Sequence, residues 1–187
     1  MHERVEGMLE ELRAAVLPSM GCTIAEACPR PESSEWHFQL PISDCLSAHA
    51  LAAVFAAHGE AGYAAMLEAL PAEKLKGYLH GFLDRLAFCN GVWGVIDWKT
   101  NKLDGGYGQD SLLACARQSH YLLQTHLYLV ALRRFLGPDV AISGAWLVFL
   151  RGIHSGSSDG ILHIQPSDAL MKDLDGLFAK PSARLSA

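Results

Sequence analysis

The stretch that decides the fold is GVIDWKTNK, residues 94–102. Its apolar start, Val95–Ile96, is typical of a buried strand and leads directly into Asp97 and Lys99. Side chains two residues apart on a strand project from the same face. We therefore predict that this carboxylate and this ammonium lie side by side at the end of the strand. Taken alone, an Asp-x-Lys pair is most often a surface ion pair that contributes little to stability.

The segment before this strand supplies a second carboxylate. YLHGFLDRLAF, residues 78–88, is strand-like, and the step Asn90-Gly91 separates it from the strand of Asp97. An Asn-Gly step favours a two-residue β-hairpin because both residues tolerate positive φ. We therefore predict neighbouring antiparallel strands, with Asp84 and Asp97 converging at one end of the hairpin to a degree that the register decides.

Two acids and one base on a single face form a candidate site for phosphodiester hydrolysis. Adjacent carboxylates are costly unless a cation neutralises them, and Mg²⁺ is commonly held by one or two carboxylates together with substrate phosphates. The ammonium of Lys99 can neutralise a phosphate or position an attacking water. These residue types therefore predict a metal-dependent hydrolytic site.

Elsewhere the chain alternates between helical and strand patterns, which indicates an α/β fold. The patterns predict a helix over 5–16 ended by 18–21, a strand over 36–42, one or two short helices between 43 and 70, and a continuous helix from about 112 to 136. On the last helix Gln124 and Tyr128 are four residues apart and share a face, so both are candidates to contact a phosphate or a bound water. We assign Tyr121, one turn earlier, to packing.

Composition limits the class of protein. The chain has 187 residues, half of them apolar, which predicts one domain with a substantial core. It has no run of about 20 apolar residues, and its N-terminal segment is charged and amphipathic, unlike a secretory signal. We therefore expect a cytoplasmic protein with no membrane partner. With 15 basic and 20 acidic residues the formal net charge is −5, so no broad basic field attracts nucleic acid.

The cysteines exclude several kinds of site. Five are present, at positions 22, 28, 45, 89 and 115, without a C-x-x-C pair. This spacing argues against a disulfide framework, a zinc ribbon or an iron–sulfur cluster. We expect buried thiols.

Several segments, in this order, resemble the RecB-type nuclease domains of the PD-(D/E)XK superfamily, as in the C-terminal domain of the exodeoxyribonuclease V beta subunit. They are EWHFQLPIS (35–43), GFLDRLAF (81–88), GVIDWKTN (94–101), YLLQTHLYLVALRRFL (121–136), GAWLVFLRGI (144–153) and GILHIQPSDAL (160–170). The resemblance covers about 35–178 and implies a restriction-endonuclease-like core, a mixed central sheet flanked by helices. It also implies Mg²⁺-dependent cleavage of DNA, with Mn²⁺ as a substitute, and work alongside the helicase and other subunits of a RecBCD-type complex in double-strand break repair and recombination.

The resemblance also assigns roles to individual residues. Asp84 and Asp97 match the two metal-binding aspartates of the family, and Lys99 matches its catalytic lysine. Gln124 and Tyr128 match a Q-x-x-x-Y motif that organises the site and its DNA. The backbone carbonyl of Trp98 is expected to complete the metal ligands, since a peptide oxygen suits a hard cation.

One family feature is missing. Such domains carry a metal-ligating histidine on a helix upstream of the core, and neither His2 in MHERVEG nor His49 in LSAHAL fits that place. We interpret His49 as a half-buried structural histidine, and the chain as truncated on its N-terminal side. Two hypotheses remain: a Mg²⁺-dependent deoxyribonuclease, or a catalytically silent nuclease-like domain for scaffolding or DNA binding. The presence of Asp84, Asp97 and Lys99 together favours the enzyme.

Overall fold

A computed structural model describes residues 2–28, 34–44, 46–71, 77–154 and 157–179. The helices are α1 (His2–Ala14), α2 (Ile24–Ala27), α3 (Ala48–Ala57), α4 (Ala61–Glu68), α5 (Gln109–Gln118), α6 (Tyr121–Leu136) and α7 (Asp168–Gly176), with a 3₁₀ turn at Leu150–Gly152. The strands are β1 (Ser34–Pro41), β2 (Tyr78–Cys89), β3 (Val92–Lys99), β4 (Ile142–Phe149) and β5 (Ile161–Ile164).

The strands form a mixed sheet. Within the described ranges five strands pair in the order β1-β2-β3-β4-β5. The pairs β2–β3 and β4–β5 are antiparallel, whereas β3–β4 is parallel because α5 and α6 form the crossover between them. The predicted α/β fold, a mixed sheet flanked by helices, is confirmed.

The β2–β3 hairpin has the tight turn that its sequence predicts. Cys89 pairs with Val92, and the residues between them, Asn90 and Gly91, have φ angles of 52° and 80°. The register continues to Arg85 opposite Ile96. One further step along both strands leads to Asp84 and Asp97, so the turn sets the register that brings these carboxylates together.

The chain divides into two compact units, and the first contains Met1–Trp36 and Phe82–Gln165. One face of its sheet is covered by the segment from Ala15 to Ala27, which packs against Ile96, Trp146 and Val148. The opposite face is covered by α6, which contacts β3 and β4. Since side chains alternate along β3, the odd-numbered Asp97 and Lys99 face α6, while Ile96 and Trp98 face the opposite core.

The second unit contains His37–Gly81 and Pro166–Ala187. Its helices α3 and α4 pack through an edge-to-face contact of Phe55 and Tyr63, whose ring centroids lie 5.2 Å apart. The interpretation of His49 as half-buried is wrong. Its side chain is 81% exposed and pairs with Glu68, since it occupies the solvent side of α3.

The predicted continuous helix over 112–136 is also wrong, because it is interrupted after Gln118. His120 has a φ of 55°, in the left-handed region that cannot continue a right-handed helix. Helix α6 then restarts at Tyr121 and ends at Gly137, as predicted. The first helix is shifted relative to the predicted 5–16: α1 begins at His2 and ends at Ala14, and Val16 forms an isolated bridge with Thr23.

The cysteines of the described ranges are free thiols. Cys22 and Cys115 are buried as expected, whereas Cys28 and Cys89 are only half-buried. Cys45 lies outside the described residues. No helix in the described part of the chain combines the length and apolar character needed to cross a membrane.

Candidate active site at the end of strand β3

Asp97 and Lys99 form a buried ion pair. Their exposed fractions are 2% and 7%, and Nζ of Lys99 contacts Oδ2 of Asp97. The interpretation of this motif as a surface ion pair is therefore excluded. A buried pair carries a desolvation cost that a surface pair avoids, so this arrangement is poorly explained by stability alone.

Asp84 reaches the same site from the neighbouring strand. Its Oδ2 accepts a hydrogen bond of 2.9 Å from the backbone N–H of Trp98. In a strand the N–H and C=O of one residue point toward the same neighbour. The Trp98 carbonyl therefore also points toward β2, on the side where Asp84 lies.

Burial dominates the electrostatics of Asp97. Burial raises the pKa of this carboxyl to about 6, although the ammonium of Lys99 opposes the rise and the charge of Asp84 adds to it. Oδ2 of Asp97 is fully buried, and no donor in the described part of the chain is aligned to hydrogen-bond it, the Lys99 contact being an ion pair only. An oxygen of this kind is an available ligand for a cation.

Helix α6 holds the other side of Lys99. Its Nζ donates a hydrogen bond of 3.0 Å to Oε1 of Gln124, whose Nε2 donates one of 2.7 Å to the hydroxyl of Tyr128. Chiefly through burial, and also through the charge of Asp97, the pKa of Tyr128 rises to about 12, so this hydroxyl is neutral at ordinary pH. The structure thus brings together all five predicted side chains.

Sequence reasoning missed two residues of this cluster. Nζ of Lys99 lies 3.8 Å from the ring centroid of Tyr121, and the Tyr121 hydroxyl donates to Oδ1 of Asn101 at 3.1 Å. Helical spacing could have predicted the position of Tyr121, because it precedes Gln124 by three residues and so shares its face of the helix. Asn101 follows the strand, and its contact depends on a loop conformation that no spacing rule predicts.

The donors at this site suit a hard divalent cation. They are the carboxylates of Asp84 and Asp97 and the carbonyl of Trp98, and oxygen is the ligand that Mg²⁺ prefers. Among the described residues no group of three or more His, Cys, Asp and Glu side chains converges as a metal site. Mg²⁺ usually keeps several waters and is bound through one or two carboxylates together with substrate phosphates, so two carboxylates and one carbonyl fit this ion.

Comparison with known proteins identifies the family of the chain. The sequence profile of the PD-(D/E)XK nuclease superfamily matches residues 4–178, nearly the whole chain. This chain belongs to the PD-(D/E)XK nuclease superfamily. The match begins before residue 35, where the resemblance of individual segments begins, so α1 and α2 are part of the superfamily domain.

Among similar proteins are RecB subunits of the RecBCD enzyme. The subunit of Haemophilus influenzae is 27% identical over 187 residues, and that of Escherichia coli is 29% identical over 189 residues. These matches cover 94% and 93% of this PD-(D/E)XK chain, but only 15% and 16% of the respective RecB subunits. A RecB subunit of Mycobacterium tuberculosis is 32% identical over 124 residues, covering 57% of this chain and 11% of its own length.

Proposed function

We propose that this chain is a Mg²⁺-dependent deoxyribonuclease that hydrolyses DNA phosphodiester bonds. The observation that carries the proposal is the cluster at the end of β3, where the half-buried Asp84 of β2 meets the buried Asp97 and Lys99, in a chain of a nuclease superfamily. A buried carboxylate oxygen without an aligned hydrogen-bond donor does not stabilise the fold, but it can bind a cation.

Asp84, Asp97 and the Trp98 carbonyl would hold the ion. Mg²⁺ would supply positive charge for the negative charge that develops on phosphate oxygens, and Mn²⁺ would substitute for it. The hydrogen bond from Trp98 N–H to Asp84 orients that carboxylate toward the end of β3. The bound ion would also offset the cost of keeping Asp97 ionised in a buried position.

The remaining side chains orient the reacting groups. In the reaction the oxygen of one water bonds to phosphorus, the bond from phosphorus to the leaving sugar oxygen breaks, and that oxygen takes up a proton. Lys99 binds the phosphate or the water through its ammonium, whose position is fixed by Gln124. Tyr128 in turn fixes the amide of Gln124. A preorganised charge of this kind needs no reorganisation when the transition state forms.

The proposed setting is a larger helicase–nuclease of the RecBCD type, acting in double-strand break repair and recombination. The relatives support this setting, since the chain matches RecB subunits that are about six times longer. The charge balance also supports it. DNA affinity derives mainly from Lys and Arg contacts to phosphates, and a net charge of −5 is more readily tolerated when a helicase delivers the DNA.

Metal binding and DNA cleavage, measured on the same samples, test the proposal. Mg²⁺ and Mn²⁺ are titrated calorimetrically into the wild-type chain, and cleavage of linear single- and double-stranded DNA is followed with each ion and with EDTA. Asp97→Ala and Lys99→Ala are compared with the matched controls Asp104→Ala and Lys102→Ala. These control side chains are 93% and 80% exposed and pair only weakly at the surface.

Cleavage that requires the metal, and that is lost in both site variants but retained in both controls, is the expected result. Metal binding without cleavage would instead support a catalytically silent DNA-binding or scaffolding domain. Cleavage that survives Asp97→Ala would contradict the assignment of the site.

A further inference from the structure

The face of the Tyr121 ring supports the Lys99 ammonium. Nζ lies 3.8 Å from the ring centroid, well inside the distance of about 6 Å at which a cation is attracted by the ring quadrupole. This attraction is stronger where water is excluded, and only 8% of the Lys99 side chain is exposed. The energy of this contact therefore lies toward the upper end of the range for cation–π interactions.

We propose that Tyr121 is a positioning residue that holds the Lys99 ammonium in place for the reaction, an inference that rests on the proposed nuclease function. Within the described ranges the ammonium contacts Oδ2 of Asp97, Oε1 of Gln124 and the ring of Tyr121. The same Oδ2 is the buried oxygen that is available to a metal ion. If Asp97 serves as a metal ligand, Gln124 and Tyr121 remain to hold the ammonium.

The ring is itself held in position. The Tyr121 hydroxyl donates to Oδ1 of Asn101, and the backbone oxygen of Asn101 accepts a hydrogen bond from Tyr107 at 3.2 Å. Tyr121 is also the first residue of α6, directly after the left-handed His120 that ends the preceding helical run. Tyr121 lies three residues before Gln124 on α6, and both side chains contact Lys99.

A packing role and a positioning role make different demands on residue 121. Packing requires only apolar volume, which leucine supplies nearly as well as phenylalanine. A cation contact requires an aromatic face, and it weakens as fluorine withdraws electron density from the ring while the shape barely changes. Tyr121→Phe, Tyr121→Leu and a series of fluorinated phenylalanines at residue 121 therefore separate the two roles.

The first measurement is structural and needs no metal. NMR of the metal-free chain reports the chemical shift of the Lys99 Cε protons, which a ring face moves upfield. We expect the upfield shift in wild type and Tyr121→Phe, and its loss in Tyr121→Leu. Melting temperatures of all variants identify any general loss of folding.

The second measurement is kinetic. We expect kcat for Mg²⁺-dependent cleavage of single-stranded DNA to fall roughly 2- to 30-fold in Tyr121→Leu with KM unchanged, the range set by cation–π energies. We also expect kcat to fall stepwise along the fluorinated series, which is the matched control for volume.

Each outcome bears on the inference. A wild-type chain without the ring-current shift, a Tyr121→Leu variant as fast as Tyr121→Phe, or a flat fluorinated series would overturn it. A wild-type chain that shows the shift but cleaves no DNA would support the contact with Lys99 and overturn the proposed function instead.

Discussion

Nζ of Lys99 and Oε1 of Gln124 lie 3.0 Å apart, and this contact joins the last residue of β3 to the first turn of α6. An ammonium can only donate, so it must face the amide oxygen of Gln124. The amide nitrogen is thereby directed to the hydroxyl of Tyr128. Lys99, Gln124 and Tyr128 therefore form one chain of hydrogen bonds, which allows a single orientation of the Gln124 amide.

Gln124 and Tyr128 are expected to act as one unit. Gln124→Ala removes a charge-assisted hydrogen bond to Lys99 and should lower kcat roughly tenfold. Tyr128→Phe should have a smaller effect, since it leaves the hydrogen bond from Lys99 to Gln124 in place, and the double variant should be little slower than Gln124→Ala. Single-turnover cleavage of all three variants tests this, with the buried Tyr63→Phe of the other unit as control. Effects that multiply would show that the two residues act independently.

The metal-free protein should lose stability as pH rises because of Asp97. Burial raises the pKa of this carboxyl from 3.8 to about 6 in the folded chain, so the folded state binds the proton more tightly than the unfolded state. The contribution of this proton to the free energy of unfolding is complete below about pH 4 and is lost as pH rises through about 6. Its upper limit is roughly 3 kcal/mol. Of the charged groups nearby, Lys99 lowers this pKa and Asp84 raises it.

Urea unfolding in EDTA between pH 4 and pH 8 measures this effect. Asp97→Asn should lack this part of the pH dependence, whereas the exposed Asp104→Asn should retain it. Parallel stability profiles for wild type and Asp97→Asn would show that the buried carboxyl titrates normally.

Gly94 on β3 leaves room for the core beneath the site. A Cβ atom there would overlap the ring of Trp146 and would lie 2.9 Å from the backbone oxygen of Gly144. Gly94→Ala should therefore destabilise the chain by about 1–3 kcal/mol, as overpacking does. Gly7→Ala is the matched control, because a Cβ atom at residue 7 would meet no other part of the fold within 4 Å, and it should stabilise helix α1 by up to about 1 kcal/mol. Denaturant unfolding compares them, and equal effects would contradict the close contact.

The hairpin turn should tolerate glycine but not a side chain at its second position. Gly91 has a φ of 80°, so Gly91→Ala should cost about 1–2 kcal/mol through left-handed backbone strain. Asn90→Gly keeps a residue that accepts positive φ and should preserve the turn. Unfolding measurements and amide exchange of β2 and β3 report the result. A neutral Gly91→Ala would mean that the turn can adopt another type without altering the register.

The rules for turns and for strand and helix periodicity predicted much of the arrangement of the site residues. The Asn90-Gly91 step predicted the hairpin, and its short turn left one register that brings Asp84 to Asp97. The two-residue period of a strand placed Asp97 and Lys99 on one face, and the four-residue period of a helix placed Gln124 with Tyr128. These relations depend on backbone geometry within a few residues, so the sequence by itself determined them.

Other features were decided only by the tertiary structure. No local rule predicted that the helix would be interrupted at His120, because a left-handed residue there is a cost that only packing of the restarted α6 can offset. The contact of Tyr121 with Lys99 depends on how α6 packs on β3. The pKa of Asp97 depends on burial beneath α6, and burial is a property of the assembled layers rather than of neighbouring residues. The sequence thus determined which residues share a face, and the packing of α6 on the sheet decided their environment.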